Sequence, residues 1–249
     1  MFTGTGLIAF VCIFGASLAG LWLSKKLPER YLSEETHKIV QLTMSPVGLL
    51  AALVVGLLVT NAKTGLDTSR REIAQFSTSL RLLDREAVHF GAEAKPVRGL
   101  LRAFTEEKIA QTWAETAASQ DHSRSVRMLN EIQDRLRAFA PQDDIGREAR
   151  VSGLRMIDDL KQTSRLLALQ KSSHTPQFFL IVVMFWLSVL AFSYAVFAPP
   201  NAAVVVAFAV AAFSTAAAVN LIVDMDHPFA GYIKVSPAPM QEALDQMKP

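Results

Sequence analysis

Residues 44–61 read MSPVGLLAALVVGLLVTN, and the chain runs on without a break through AKTGLDTSRREIAQFSTSLRLLDREAVHF to residue 90. The first part carries no charged side chain over the length that a ~30 Å hydrocarbon core demands of a helix. From Ser69 the pattern turns amphipathic. Ile73, Phe76, Leu80, Leu83, Ala87 and Phe90 step by three and four residues, with Arg70, Arg71, Glu72, Arg81, Asp84 and Arg85 around them. That heptad stripe predicts a helix packed in a bundle. Only Gly65 weakens the helix between the two patterns, so the span is expected to continue out of the membrane as one long helix. A membrane span and a soluble helical bundle would then share a single element.

Three more apolar blocks without charge lie outside this stretch, at Gly6–Ser24, Phe178–Phe197 and Ala202–Val223. None has a polar face, and a chain in lipid must satisfy its own backbone, so each is expected to be a helix. The N-terminal MFTGTG carries no positive charge and its apolar run exceeds a signal-peptide core, which predicts a retained span. The link APPN, with Pro199 and Pro200, forces the last two blocks into an antiparallel hairpin. The first two blocks are joined by KKLPERYLSEETHKIVQLT, long enough for a short interfacial helix.

Beyond the heptad stripe, Pro96 is expected to start a helix carrying Val97, Leu100, Leu101, Phe104 and Trp113 on one face. Another is expected from His122 to Phe139 with Val126, Leu129, Ile132, Leu136 and Phe139 inward. Asp143 or Asp144 would cap a helix from Ile145 to Lys171 bearing Leu154, Ile157, Leu160 and Leu167. A last short helix is expected from Met240 to Met247, and no alternating strand pattern occurs. The fold class is therefore an all-α integral membrane protein, with four transmembrane helices in two pairs and an inserted soluble helical domain. The expected divisions are residues 1–62 for the first pair, 63–176 for the soluble domain, 177–223 for the hairpin and 224–249 for an acidic turn and tail.

With 25 basic against 23 acidic residues and no basic run, the chain presents no nucleic-acid surface. A single cysteine, Cys12, excludes a disulfide within the chain and a Cys/His metal cage. Beside the spans, Lys63, Arg70, Arg71, Arg165, Lys171, Lys234 and Lys248 outnumber Lys25, Lys26, Arg30 and Lys38 of the first loop. The positive-inside rule then places both termini and the soluble domain in the cytoplasm.

No catalytic constellation stands out. His37, His89, His122, His174 and His227 lack metal-ligand spacing, and there is no nucleophile elbow, phosphate loop or zinc-protease helix. The chain is expected not to be an enzyme and to need no cofactor or metal. The absence of Asp, Glu, Lys, Arg and His inside the spans argues against a proton-coupled carrier. It is compatible with a channel, where a hydrophobic constriction gates by dewetting. In the second span Leu49, Leu53 and Leu57 repeat every four residues and Asn61 follows on the same stripe. They fit an apolar neck with Asn61 at its wetter mouth, and they equally fit ordinary packing or lipid contact. Ser214, Thr215 and Asn220 in the fourth span suit interhelical hydrogen bonds. Asp224 and Asp226, ahead of Pro228 and Phe229, would either attract a cation or cap and pair locally.

Three stretches, DMDHPFAGYIKVSPAPMQEAL near the C-terminus, NAKTGLDTSRREI after the second span and the tryptophan of IAQTWAE, resemble the bestrophin-like family of bacterial membrane proteins. More distantly, GLLVTNAKTGLDTSRREI and DMDHPFAG are similar to segments of bestrophins themselves. Bestrophins are pentameric, mainly anion-selective channels whose second span lines the pore and forms a hydrophobic neck. The resemblance implies a homo-oligomer, with a pentamer favoured, in the bacterial cytoplasmic (inner) membrane, whose partners are the lipid bilayer, its own copies and inorganic ions. It puts the neck at Leu49, Leu53 and Leu57, and the acidic turn at Asp224, Asp226, Pro228 and Phe229. The bestrophin arginine near the end of span two is replaced here by Leu58 or Val59, and Ala230 separates Phe229 from Gly231. The likeness thus carries fold and oligomeric pore further than it carries the ion. The rival expectation is a non-conducting membrane scaffold or sensor whose helical domain binds a partner protein.

Overall fold

The computed structural model describes residues 4–113, 122–170 and 177–247. Its helices are α1 (Gly4–Ser24), α2 (Glu34–Glu86), α3 (Ala94–Trp113), α4 (His122–Ala138), α5 (Asp144–Gln170), α6 (Gln177–Val196), α7 (Ala202–Met225) and α8 (Ala238–Gln246). Among the described residues there is no β-strand. Helices α1, α2, α6 and α7 each contain a stretch long and apolar enough to cross a membrane, and the protein is an all-α integral membrane protein. The chain forms two compact units, residues 1–65 with 174–226, and residues 66–173 with 227–249. Lys171, His174 and Lys248 lie outside the described residues, as do the side chains of His122 and Leu167.

In the first unit α1 packs along α6 and α7. Its inward face, Ala9, Ile13, Ser17 and Gly20 with Leu21 beside it, includes three small residues, which let membrane helices approach closely. At Gly20 a Cβ would sit 2.6 Å from the Phe192 carbonyl oxygen and 2.8 Å from Ala195 Cβ, so only glycine fits there. Ser17 Oγ donates to the Phe14 carbonyl at 2.7 Å and needs no partner on another helix. Asn201 opens α7 by accepting the Val204 N–H at 2.9 Å, the usual N-cap geometry.

Helix α2 starts ten residues before the apolar run that reveals it. Ser33 accepts the Thr36 N–H at 3.3 Å and begins the helix, while the first loop contributes only a 3₁₀ turn at Glu29–Tyr31. Pro46 lies inside α2. It has no N–H to give the Leu42 carbonyl, a substitution that bends or breaks most helices. Here the helix passes through, with the Ser45 hydroxyl bonded back to Gln41 O at 2.7 Å.

The second unit is a helical bundle. The whole stripe Ile73, Phe76, Leu80, Leu83, Ala87 and Phe90 is buried, although its last two residues lie beyond α2. They fall in and just after a 3₁₀ turn at Ala87–His89, and Gly91 at φ +54° lets the chain reverse. Val97, Leu101 and Phe104 of α3, Leu129, Ile132 and Leu136 of α4, and Ile157 and Leu160 of α5 complete the core. Gly153 is pressed against this core, where a Cβ would lie 2.7 Å from Leu136 Cδ2 and 2.8 Å from Phe90 Cζ. Asp143 caps α5, accepting the Gly146 N–H at 2.9 Å, and Arg150 donates to the Leu136 carbonyl at 3.0 Å at the end of α4. Val126 does not face inward as its spacing predicts: it is exposed. The adjacent Ser125 is buried instead and donates to Gln111 Oε1 at 3.0 Å. A polar seam continues with Lys108 Nζ donating to Ser164 Oγ at 2.8 Å. Burial pushes the Lys161 ammonium below its ordinary pKa, against the opposing pull of Asp158.

Residues 227–247 belong to the same bundle. The Trp113 indole N–H donates to the Val235 carbonyl at 2.8 Å, and its ring meets Phe229 edge-on at 5.8 Å. Ser77 Oγ donates to the Pro239 carbonyl, and Met240 and Ala243 of α8 are buried.

Candidate pore-lining face

The two faces of α2 differ. One carries Ala51, Leu58, Ala62 and Leu66, all buried, and leads into the bundle stripe. The other carries Leu49, Leu53 and Leu57, which remain 74%, 60% and 56% exposed, and Asn61, also exposed. Leu50 shares this second face; its spacing of three from Leu53 was the available signal. Of the four apolar stretches, that of α2 is the least covered, with 11% of it buried against 33% for α1. Its hydroxyls turn inward on the helix. Thr60 Oγ1 donates to Gly56 O at 2.9 Å and Thr64 Oγ1 to Thr60 O at 2.8 Å. The exposed face is thus a column of leucines bounded at its C-terminal end by self-satisfied threonines and one free-standing amide side chain.

The residues of the acidic turn are placed separately. Asp224 is buried in the last turn of α7. Asp226 is the C-cap residue of α7, its N–H donating to the Ile222 carbonyl at 3.0 Å. In the second unit Pro228 accepts the Val235 N–H at 2.7 Å, Phe229 packs on Trp113, and Gly231 adopts φ +86°. Among the described residues no three His, Cys, Asp or Glu side chains gather as a metal cage. In the fourth span the Ser214 and Thr215 hydroxyls donate to carbonyls one turn back, at Val210 and Ala211, both at 2.9 Å. Both bonds stay within α7.

The sequence profile of the Bestrophin-like domain matches residues 11–240. No curated protein matches the chain. Among solved structures, the bacterial bestrophin homologue from Klebsiella pneumoniae superposes with a TM-score of 0.70 at 12% identity, covering 97% of this chain and 95% of that one. Two point variants of that homologue give TM-scores of 0.72 and 0.73 at 11% and 12% identity. They cover 98% of this chain each, and 99% and 98% of their own. At such identity these matches establish the shared fold.

Proposed function

Because the chain belongs to the Bestrophin-like family, we propose that it is one subunit of a homo-oligomeric ion channel, a pentamer, in a bacterial cytoplasmic membrane. The exposed face of α2 surrounds the axis. Leu49, Leu53 and Leu57 form the apolar neck, and Asn61 lies at its wetter mouth. The termini and the helical unit are cytoplasmic. The supporting observation is that the apolar stretch of α2 is the least covered of the four, 11% buried against 17% for α7, with the three leucines opposite its buried stripe. A helix packed fully within its own protomer would not leave that face open, and a ring closed by head-to-tail interfaces turns the same face of every copy toward one axis. Ion passage then requires the leucine rings to wet or widen.

The purified protein reconstituted in liposomes should carry ion flux, and Leu53→Ala should raise it severalfold by shortening the dry segment. Flux absent from both proteins overturns the reading in favour of a non-conducting scaffold whose helical unit binds a partner protein.

A further inference from the structure

The first unit contains a cleft of about 340 Å³ lined by Ser24, Lys25, Leu32, Glu34, His37 and the segment Val196 to Pro200. It is built where α1 ends, α2 begins, and α6 turns into α7. The apolar stretches of α1, α6 and α7 start or stop at this level, and that of α2 begins ten residues after Glu34, which places the cleft at the boundary between hydrocarbon and headgroups. Its volume is that of a small-molecule site.

The lining has two chemistries. Leu32, Val196, Phe197, Pro199 and Pro200 make an apolar wall. Against it, the His37 ring lies flat on Phe197, with centroids 4.9 Å apart and planes 4° from parallel. This stacking fixes the imidazole and leaves its edge for hydrogen bonding. Lys25 and Glu34 then set one cation and one anion on the same small cleft. Glu34 meets Lys38 only at 3.9 Å, with side chains 93% and 74% exposed. A solvated pair of that kind is weak, so the Glu34 carboxylate is available to a ligand. Close to the lining residues in sequence, Trp22 carries the Lys26 ammonium 3.8 Å from its ring centre, and the exposed Tyr31 accepts from Arg30 at 2.7 Å. Aromatic residues of this kind mark the headgroup level of a bilayer.

We propose that this cleft binds the headgroup of a zwitterionic phospholipid bearing a primary ammonium, a phosphatidylethanolamine. Lys25 and the edge of His37 take the phosphate oxygens, Glu34 accepts from the ammonium, and the apolar wall receives the start of the acyl chains. A trimethylammonium headgroup has no N–H to donate to Glu34, and a glycerol headgroup has no cation to offer it. The site does not depend on whether the protein conducts.

The test is native mass spectrometry of delipidated protein titrated with phosphatidylethanolamine, phosphatidylcholine or phosphatidylglycerol. The expected result is retention of phosphatidylethanolamine over the other two by about tenfold, the weight of one charge-assisted hydrogen bond. Glu34→Gln should abolish the preference over phosphatidylcholine, whereas Lys25→Gln should weaken both lipids alike. Both side chains are exposed, and unchanged melting temperatures would show that the variants fold. Equal retention of the three lipids, an unaltered preference in Glu34→Gln, or displacement of the lipid by equimolar soluble phosphoethanolamine overturns the assignment.

Discussion

At the scale of single residues, the soluble bundle depends on a few polar contacts with no near neighbour in sequence. Arg98 grips Asp84 with both ends of its guanidinium, at 2.8 Å and 3.2 Å. The hydrogen bond to Asp84 and its charge push the Arg98 pKa above its ordinary value, in that order of weight. Asp84 is buried while Arg98 is partly exposed. Asp84→Ala should therefore cost about 1–2 kcal/mol, since the guanidinium can turn to water. Arg98→Leu should cost more, because it strands a buried carboxylate; thermal unfolding of the two variants would rank them. Residues like these were invisible as a pair in the sequence. Asp84 reads as one more charge on a solvated face, and nothing local says that a side chain fourteen positions on will reach it. Ser125 and Val126 teach the same lesson from the other side. Periodicity favoured the apolar residue, but the bundle buries the serine because Gln111 is there to receive its hydroxyl.

Among the elements, α1 is the one most constrained by close approach. Phe192 O lies where a Gly20 side chain would have to go, and a backbone atom cannot swing aside as a side-chain tip can. Gly20→Val should separate α1 from α6 at a cost of about 1–3 kcal/mol or more, measurable as a lowered melting temperature in detergent. The spans and the bundle stripe were legible in the sequence, because charge exclusion and heptad spacing are direct imprints of lipid and of packing. The extent of α2 was less so. Seven of its first ten residues are polar, and Pro46 reads as a break. What overrides it is a helix already nucleated on the Ser33 side and continued by a long apolar run, so that losing one backbone hydrogen bond does not end it.

For the whole molecule, the leucine face of α2 is the feature whose environment decides the function. The repeat of Leu49, Leu53 and Leu57 was readable, and so was its sharing of one face. Whether that face meets water or acyl chains is a property of the assembly, which no single-chain periodicity encodes. Cys12 is the sole native thiol, so in a Cys12→Ser background Leu57→Cys gives one reporter. A charged, membrane-impermeant thiol reagent should modify it and block flux, because only a hydrated cysteine ionises to the reactive thiolate. An unreactive Cys at that position would assign the face to lipid. The bundle, meanwhile, is stitched from two distant parts of the chain: Trp113, Ser77 and Thr105 are engaged by residues 235–247. During synthesis both late spans therefore leave the ribosome before the earlier helices can receive their final segment. Until then the Trp113 indole and the apolar seat of α8 wait uncovered. Translation order thus puts both late spans ahead of the closing of the bundle, and a chain stopped within them would leave the bundle open to chaperones and proteases.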